Sequence, residues 1–434
     1  MKSQQPKKIW LCLASRQLSE KRMTTGNNMS RGGVHGFQAE RLSQILAVRR
    51  LTQAQLASLV GVSPGTISKW KGGIQAPERE ALERLALVVN VAADWFLRPY
   101  LPTLSMPLFR SNAAAHAAAR TMLGARLEWA EEVAWGFADF VDFPELNLPM
   151  YPFRDPEEIT AEDIEGAADE CRKLWRLGRG PVQDLALAVE SAGIVLIREE
   201  TGIPQIEGLS GWSSKLSRPC ILLSADKNNG FRSRFDLAHE VGHCVLHKGI
   251  ERTNNPGRHN LMEKQAHAFA GAFLLPSESI SGEAHLHPTL DDLLILKRRW
   301  GVSAAAILMR LKALGIVSED EATNLFKRRS ARWGAKAEPG DDERSPEIPR
   351  LLRRTVELLV DEKVMPLESI PNHFGMSPHD LETLVSLPSG YFSAPERVIE
   401  LARLRRPSLS PAKRTDSKDN FKESEIIPFH ARTS

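Results

Sequence analysis

The stretch Phe235–His247, FDLAHEVGHCVLH, contains His239-Glu240-Val241-Gly242-His243. On a helix, residues four apart share a face, so the imidazoles of His239 and His243 stand one turn apart, where both can bind one metal ion. Glu240, beside the first of them, is placed to take a proton from water acidified by that ion, which is the chemistry of a zinc peptidase. The flanks read as a helix. Ser233-x-x-Asp236 has the form of a capping box, Phe235, Ala238, Val241 and Val245 make an apolar stripe, and Lys248-Gly249 reads as a C-terminal stop. A third histidine, His247, continues the same spacing. Packing alone explains three such residues poorly, because a buried imidazole needs hydrogen-bond partners. Gly242 costs about 1 kcal/mol in a helix interior and points to something passing close to that face.

Two histidines do not complete a site, since catalytic zinc takes three protein ligands and a water. Downstream, Leu261–Leu275, LMEKQAHAFAGAFLL, is helical and stopped by Pro276. Glu263 points along the edge of its apolar face. Alone, Glu263 reads best as a capping-box partner of Asn260. Beside the HExxH it completes the His2Glu set of water-activating zinc sites.

RSRFDLAHEVGHCVLH followed by EKQAHAFAGAFLLP resembles the ImmA/IrrE family of metallopeptidases, whose pattern is RFxLAHELGHxxLH, then ExxAN-x-FA and a closing LLMP. The resemblance extends through residues 161–335. It implies His239, His243 and Glu263 as zinc ligands, Glu240 as general base, and a protein substrate, in this family often a repressor of mobile-element or stress-response genes. One position departs. The family's Asn after ExxA is His267 here, which leaves three roles open: a neighbour supporting the ligands, as for His247, an oxyanion donor, or a fourth ligand.

From Phe37 to Pro99 the pattern is helical, broken at Arg50-Leu51-Thr52 and Gly61-Val62-Ser63. Thr52 caps QAQLASLV, and Ser63-Pro64-Gly65-Thr66-Ile67-Ser68-Lys69-Trp70 follows a turn containing Gly61, the layout of a helix-turn-helix. Small residues at the start of the second helix let the backbone approach DNA, while Lys69 and Lys71 can meet phosphates. A helical bundle that binds protein or dimerises would show the same mixed charge. LTQAQLASLVGVSPGTISKWKGG resembles the XRE/Cro-repressor type of helix-turn-helix, over the whole of 37–99. The resemblance implies binding to double-stranded operator DNA, with Gln53, Thr66, Ser68 and Lys69 as contacts, and a homodimer, the usual assembly of that family.

The rest of the chain bounds these readings. At 434 residues, 42% hydrophobic and 26% charged, it has room for two or three domains, and its net charge of +3 argues for no partner by itself. Cys12, Cys171, Cys220 and Cys244 form no CxxC and no disulfide framework, which suits a reducing cytoplasm. No apolar run reaches the length of a membrane span or a secretion signal, so a cytoplasmic protein with no membrane partner is expected. Met23 and Met29 stand as alternative starts.

We expect a multidomain chain, mainly α with α+β. It comprises a disordered extension (1–36), an all-α helix-turn-helix domain (37–99), a helical connector (100–160), a zincin-like α+β peptidase with a small sheet (161–327), a linker (328–349), a helical C-terminal region (350–405) and a disordered tail (406–434). Trp129, Val133, Phe137 and Phe140 recur at helical spacing in the connector and read as core against a neighbouring domain. Gly193–Arg198, Leu209–Ser213 and Cys220–Ser224 read as strands, with a sheet edge beside the metal able to hold an extended peptide. Two functions are carried forward. The first is a DNA-binding regulator with a zinc endopeptidase acting on a repressor or other regulatory protein. The alternative is a transcription factor or antitoxin-like binder whose metal domain only senses or stabilises.

Overall fold

The computed structural model describes residues 33–100, 104–105, 117–203, 206–251, 255–334 and 337–393. The expected extension before residue 33, the expected tail and residues 394–405 lie outside the described residues. The described residues begin with four helices, α1 (Ala39–Val48), α2 (Gln53–Val60), α3 (Pro64–Lys71) and α4 (Arg79–Val89), followed by a 3-10 turn at Ala93–Leu97. Thr52 starts α2 through a reciprocal cap, its hydroxyl accepting from the Gln55 N–H while the Gln55 side chain accepts from the Thr52 N–H. Gly61 ends that helix in the left-handed region at φ 76°, and Ser63 caps α3 by accepting from the Thr66 N–H. Leu42, Ile45, Leu56, Ile67 and Leu85 close the core between these helices. Residues 33–36, placed by the sequence in the extension, belong here instead: the Val34 N–H donates to the Pro77 carbonyl at 2.8 Å.

Next come α5 (Ala117–Phe137), α6 (Ala161–Leu174) and α7 (Leu185–Ser191), then strands β1 (Val195–Glu199), β2 (Gly208–Ser213) and β3 (Arg218–Ser224). The strand order is β1-β3-β2, with β1 parallel and β2 antiparallel to β3. Alternation along the strands sends Val195, Ile197, Leu209, Cys220 and Leu222 to one face and Leu196, Ile221 and Leu223 to the other. Both faces are buried. Helices α8 (Gly230–Leu246), α9 (Pro256–Leu274), α10 (Ser277–Glu283), α11 (Leu290–Trp300), α12 (Ala304–Ala313) and α13 (Glu319–Trp333) share a core with the second face, together with α6 and α7. The first face shares its core with α1–α5 and with the C-terminal helices α14 (Leu351–Asp361), α15 (Ser369–Phe374) and α16 (Pro378–Leu384).

Two expected boundaries are corrected by this packing. The segment 328–349 is not a free linker, because α13 runs to Trp333 and Glu338 is fully buried beyond it. The Glu338 carboxylate accepts from Lys297 at 3.2 Å, from Arg329 at 3.1 Å and from the Ala304 and Ala305 N–H groups that open α12. Residues 37–99, 100–160 and 350–405 likewise do not hold separate cores. The Ala92 N–H donates to the Gly375 carbonyl, Trp95 packs edge-on against Trp129, and Phe137 packs edge-on against Phe374. Trp129, Val133 and Phe137 fill this shared core, whereas Phe140 is partly exposed at its rim against His373.

A buried chain of charges ties the layers together. Arg49, which follows α1, forks onto Asp380 of α16 at 2.6 and 2.8 Å, Arg126 of α5 reaches the same carboxylate at 3.2 Å, and Arg126 also donates to Glu199 at the end of β1 at 2.9 Å. Burial alone would raise the Asp380 carboxyl, but the Arg49 and Arg126 guanidinium groups and the Ser377 hydroxyl outweigh it and hold it below its ordinary value. Its stabilising contribution is therefore complete above the unfolded carboxylate range and is lost as pH falls through the lower folded value. Asp380→Asn should cost about 3 kcal/mol in urea denaturation at neutral pH, because it leaves buried guanidinium charge uncompensated. The variant should also show a smaller loss of stability on acidification than the wild type; equal stability and equal acid sensitivity would exclude this role.

Candidate metal centre and nucleic-acid interface

Helix α8 starts one turn earlier than the sequence suggests. Asn229, not Ser233, is its N-cap, its side chain accepting from the Arg232 N–H, and Ser233 instead meets the Arg198 guanidinium. The helix ends at Leu246 with His247 as C-cap. His239, Glu240, His243 and His247 are all buried on it. The group that passes close to Gly242 is Phe269 of α9, whose ring lies 3.0 Å from where a Cβ would stand.

Helix α9 also starts earlier than expected, at Pro256, with Asn255 as N-cap. Glu263 is therefore two turns inside the helix, and the Asn260–Glu263 capping box does not exist. Its carboxylate faces Nε2 of His243 at 3.2 Å and Nε2 of His239 at 3.3 Å, and those two nitrogens are 3.1 Å apart. One donor atom from each of the three residues lies within 4.8 Å of the others. The Glu240 side chain packs against the start of β2, where a Cβ on Gly208 would come within 3.2 Å of its Cγ and Oε1. A side chain on residue 208 would press on Glu240.

Hydrogen bonding behind the trio fixes which nitrogen faces inward. Nε2 of Gln265 donates to the Pro156 carbonyl at 2.6 Å and to that of Ile159 at 3.4 Å, so its Oε1 points to Nε2 of His247 at 3.1 Å and accepts there. A neutral His247 protonated on Nε2 offers Nδ1 as acceptor to Nδ1 of His243, 2.9 Å away. His243 then carries its proton on Nδ1 and turns the lone pair of Nε2 toward Glu263. His239 can repeat the arrangement, since its Nδ1 is 3.1 Å from Nδ1 of His267. Three lone-pair groups converging in a buried space repel one another unless protons or a cation intervene. With both rings protonated, burial would push the Glu263 carboxyl up and the imidazolium groups would pull it well below the usual range. A divalent cation removes the repulsion without extra protons, so the donor set fits one.

His267 is not brought into the trio. It sits behind His239, on the far ring nitrogen, and packs edge-on against Phe235. The sequence reading missed two residues. Gln265 orients His247 from α9, and His259, buried one turn before Glu263, has Nε2 4.0 Å from Oε1 of Glu263. Its spacing of four from Glu263 was the available signal. The expected sheet edge is β2, and its far end is already paired: the Ser105 N–H donates to the Trp212 carbonyl at 2.8 Å, and Leu104 bridges Ser213 antiparallel.

At the other functional surface, Gln53 opens α2 and is half-buried, and on α3 Thr66 is half-buried while Ser68, Lys69 and Lys71 are exposed. Ile67 and Trp70 anchor the opposite side of α3 in the core. Small polar and basic groups thus face outward along one side of a rigidly held helix.

Residues 45–96 match the family model of a helix-turn-helix, and residues 189–312 match that of the IrrE N-terminal-like domain, a peptidase family. The second match covers the sheet, α8, α9 and most of α12, a narrower span than the resemblance over 161–335. The chain is a fusion of an XRE-type helix-turn-helix and an ImmA/IrrE-like domain. No curated protein matches it. Among the described residues, no helix is long and apolar enough to cross a membrane.

The tautomer chain is open to a direct test. In metal-free protein, at a pH well above the ordinary imidazole range, nitrogen NMR should place the neutral proton of His243 on Nδ1 and that of His247 on Nε2. Gln265→Leu should leave the protein folded and mix the tautomers of both rings. Finding the proton of wild-type His243 on Nε2 would break the chain of reasoning.

Proposed function

We propose that this fusion of a helix-turn-helix with an IrrE N-terminal-like domain is a DNA-binding transcriptional regulator carrying a zinc-dependent endopeptidase that cleaves a repressor or other regulatory protein. The observation that carries the reading is the convergence of His239, His243 and Glu263 in a buried space with Glu240 on the adjoining turn. His239 and His243 through Nε2, and Glu263 through its carboxylate, would hold the ion. Bound zinc would supply Lewis-acid polarisation of water and of a peptide carbonyl. Glu240 acts as the general base, and low exposure favours proton exchange with a reacting group over exchange with bulk solvent. Gln265 and His247 keep the His243 ring in the ligating tautomer, and His267 supports His239 in the same way. On the DNA side, Thr66 and Ser68 meet base edges or the groove floor, and Gln53 and Lys69 hold the phosphates.

The alternative, a regulator whose metal domain only senses or stabilises, parts from this reading at Glu240. Glu240→Gln should retain the fold and full zinc content while cleavage of candidate repressors drops by about 100-fold or more. His239→Ala should purify with zinc near zero. Cleavage that survives Glu240→Gln would remove the base assignment, and equal zinc in wild type and His239→Ala would remove the ligand set.

The DNA arm is tested separately. A Thr66, Ser68 and Lys69 triple-alanine variant should lose specific operator binding, and Lys69→Ala alone should weaken binding to all sequences and lower the salt slope by about one. Unchanged specific binding by the triple variant would take α3 out of the interface.

A further inference from the structure

Beside the candidate metal centre lies a cavity of about 550 Å³ whose walls come from α6, α9, α12 and the first turns of α8. Ile164, Phe235, Ala306 and Met309 form its sides, and Gly271 lies in its floor. Glu263 belongs both to the trio and to the cavity wall, and His267, behind His239, lines the cavity beside it, so the two spaces adjoin at Glu263. Of the charged groups in its wall, Arg310 and Glu165 are matched to each other, while Lys264 is exposed. The Arg310 guanidinium forks onto the Glu165 carboxylate, with one arm at 2.8 Å, and donates through Nε to the Leu275 carbonyl at 3.0 Å. A charged ligand group placed against the Arg310–Glu165 pair would lose water and gain no new partner. An apolar group would lose nothing and bury its surface.

We propose that this cavity is the specificity pocket of the peptidase and takes a bulky apolar side chain of the protein substrate, next to the bond held at His239, His243 and Glu263. The inference rests on the peptidase reading above and adds the class of residue recognised. The volume admits a leucine- or phenylalanine-sized side chain with the main chain that flanks it, within the range of ordinary ligand sites. Small residues leave this room. Ala306, Ala268, Ala313 and Gly271 keep two helix surfaces low where a larger side chain on either would fill the space. Phe235 and Met309 then supply the contact area, the latter with a flexible thioether that adapts to different apolar shapes.

The test uses the zinc-loaded full chain and two peptide hydroxamates that differ in one side chain, isobutyl against hydrogen, with affinities measured by calorimetry. The isobutyl compound should bind at least about tenfold more tightly than its hydrogen counterpart. Ala306→Trp, and the milder Ala306→Leu in case tryptophan disturbs the fold, should abolish that difference while zinc content and binding of the hydrogen compound stay as in wild type. Equal affinity of the two compounds for the wild type would overturn the pocket, as would discrimination that persists in both variants. Failure of both compounds to bind zinc-loaded wild type would instead defeat the metal-centre reading and the pocket with it.

Discussion

A three-stranded sheet with apolar residues on both faces cannot stand in water, and this constraint organises the whole chain. Leu196, Ile221 and Leu223 require one cover, and Val195, Ile197 and Leu222 require another. The first cover is the helical layer that carries the candidate metal centre. The second is α5 with the C-terminal helices, and these in turn support α1–α4. The helix-turn-helix therefore does not swing on a bare tether among the described residues. It belongs to the same core as the back of the peptidase sheet.

Charge at the second interface restricts how these pieces can move. Glu199, Arg126, Asp380 and Arg49 are side chains from β1, α5, α16 and the end of α1, each satisfied by its neighbours. Pulling any one of these elements away exposes a buried charge, which costs several kcal/mol, whereas small concerted shifts keep the pairs intact. The interface thus resists separation more than it resists sliding. Glu338 does the same on the other side, where a carboxylate on an irregular segment closes the start of α12 and pairs with Lys297 and Arg329.

What the sequence made legible was local. The caps at Thr52 and Ser63, the turn at Gly61 and the pairing of His239 with His243 depend on residues a few positions apart. Glu263 was legible as a candidate ligand only in combination, because a capping role fits the same letters until Pro256 and Asn255 start the helix earlier. Tertiary facts were hidden. The orientation of Gln265 is set by the carbonyls of Pro156 and Ile159, more than a hundred residues upstream, and Asp380 finds Arg49 across most of the chain. The charged, Pro-containing stretch 328–349 reads as solvated because composition does not say that a glutamate's partners are buried lysine and arginine. Both-face burial of the strands was equally invisible, since the covering helices lie far along the chain.

Two glycines of β2 serve close approach, and this bounds how an extended peptide could pair with the strand. Gly208 leaves room for Glu240, and Gly211 leaves room for the linking segment: a Cβ there would come within 3.1 Å of the Ser105 carbonyl oxygen. Ser105 gives its N–H to Trp212 and accepts the Trp212 N–H on its hydroxyl at 2.9 Å. An extended peptide pairing with β2 beside Glu240 must therefore stop short of Trp212 or displace Leu104 and Ser105. Stopping short leaves few main-chain hydrogen bonds, which are blind to sequence in any case. Displacement sacrifices the bonds that Ser105 already makes. Under either course strand pairing supplies little net affinity, so in the proposed peptidase discrimination between substrates would come from side chains seated beside the candidate metal centre.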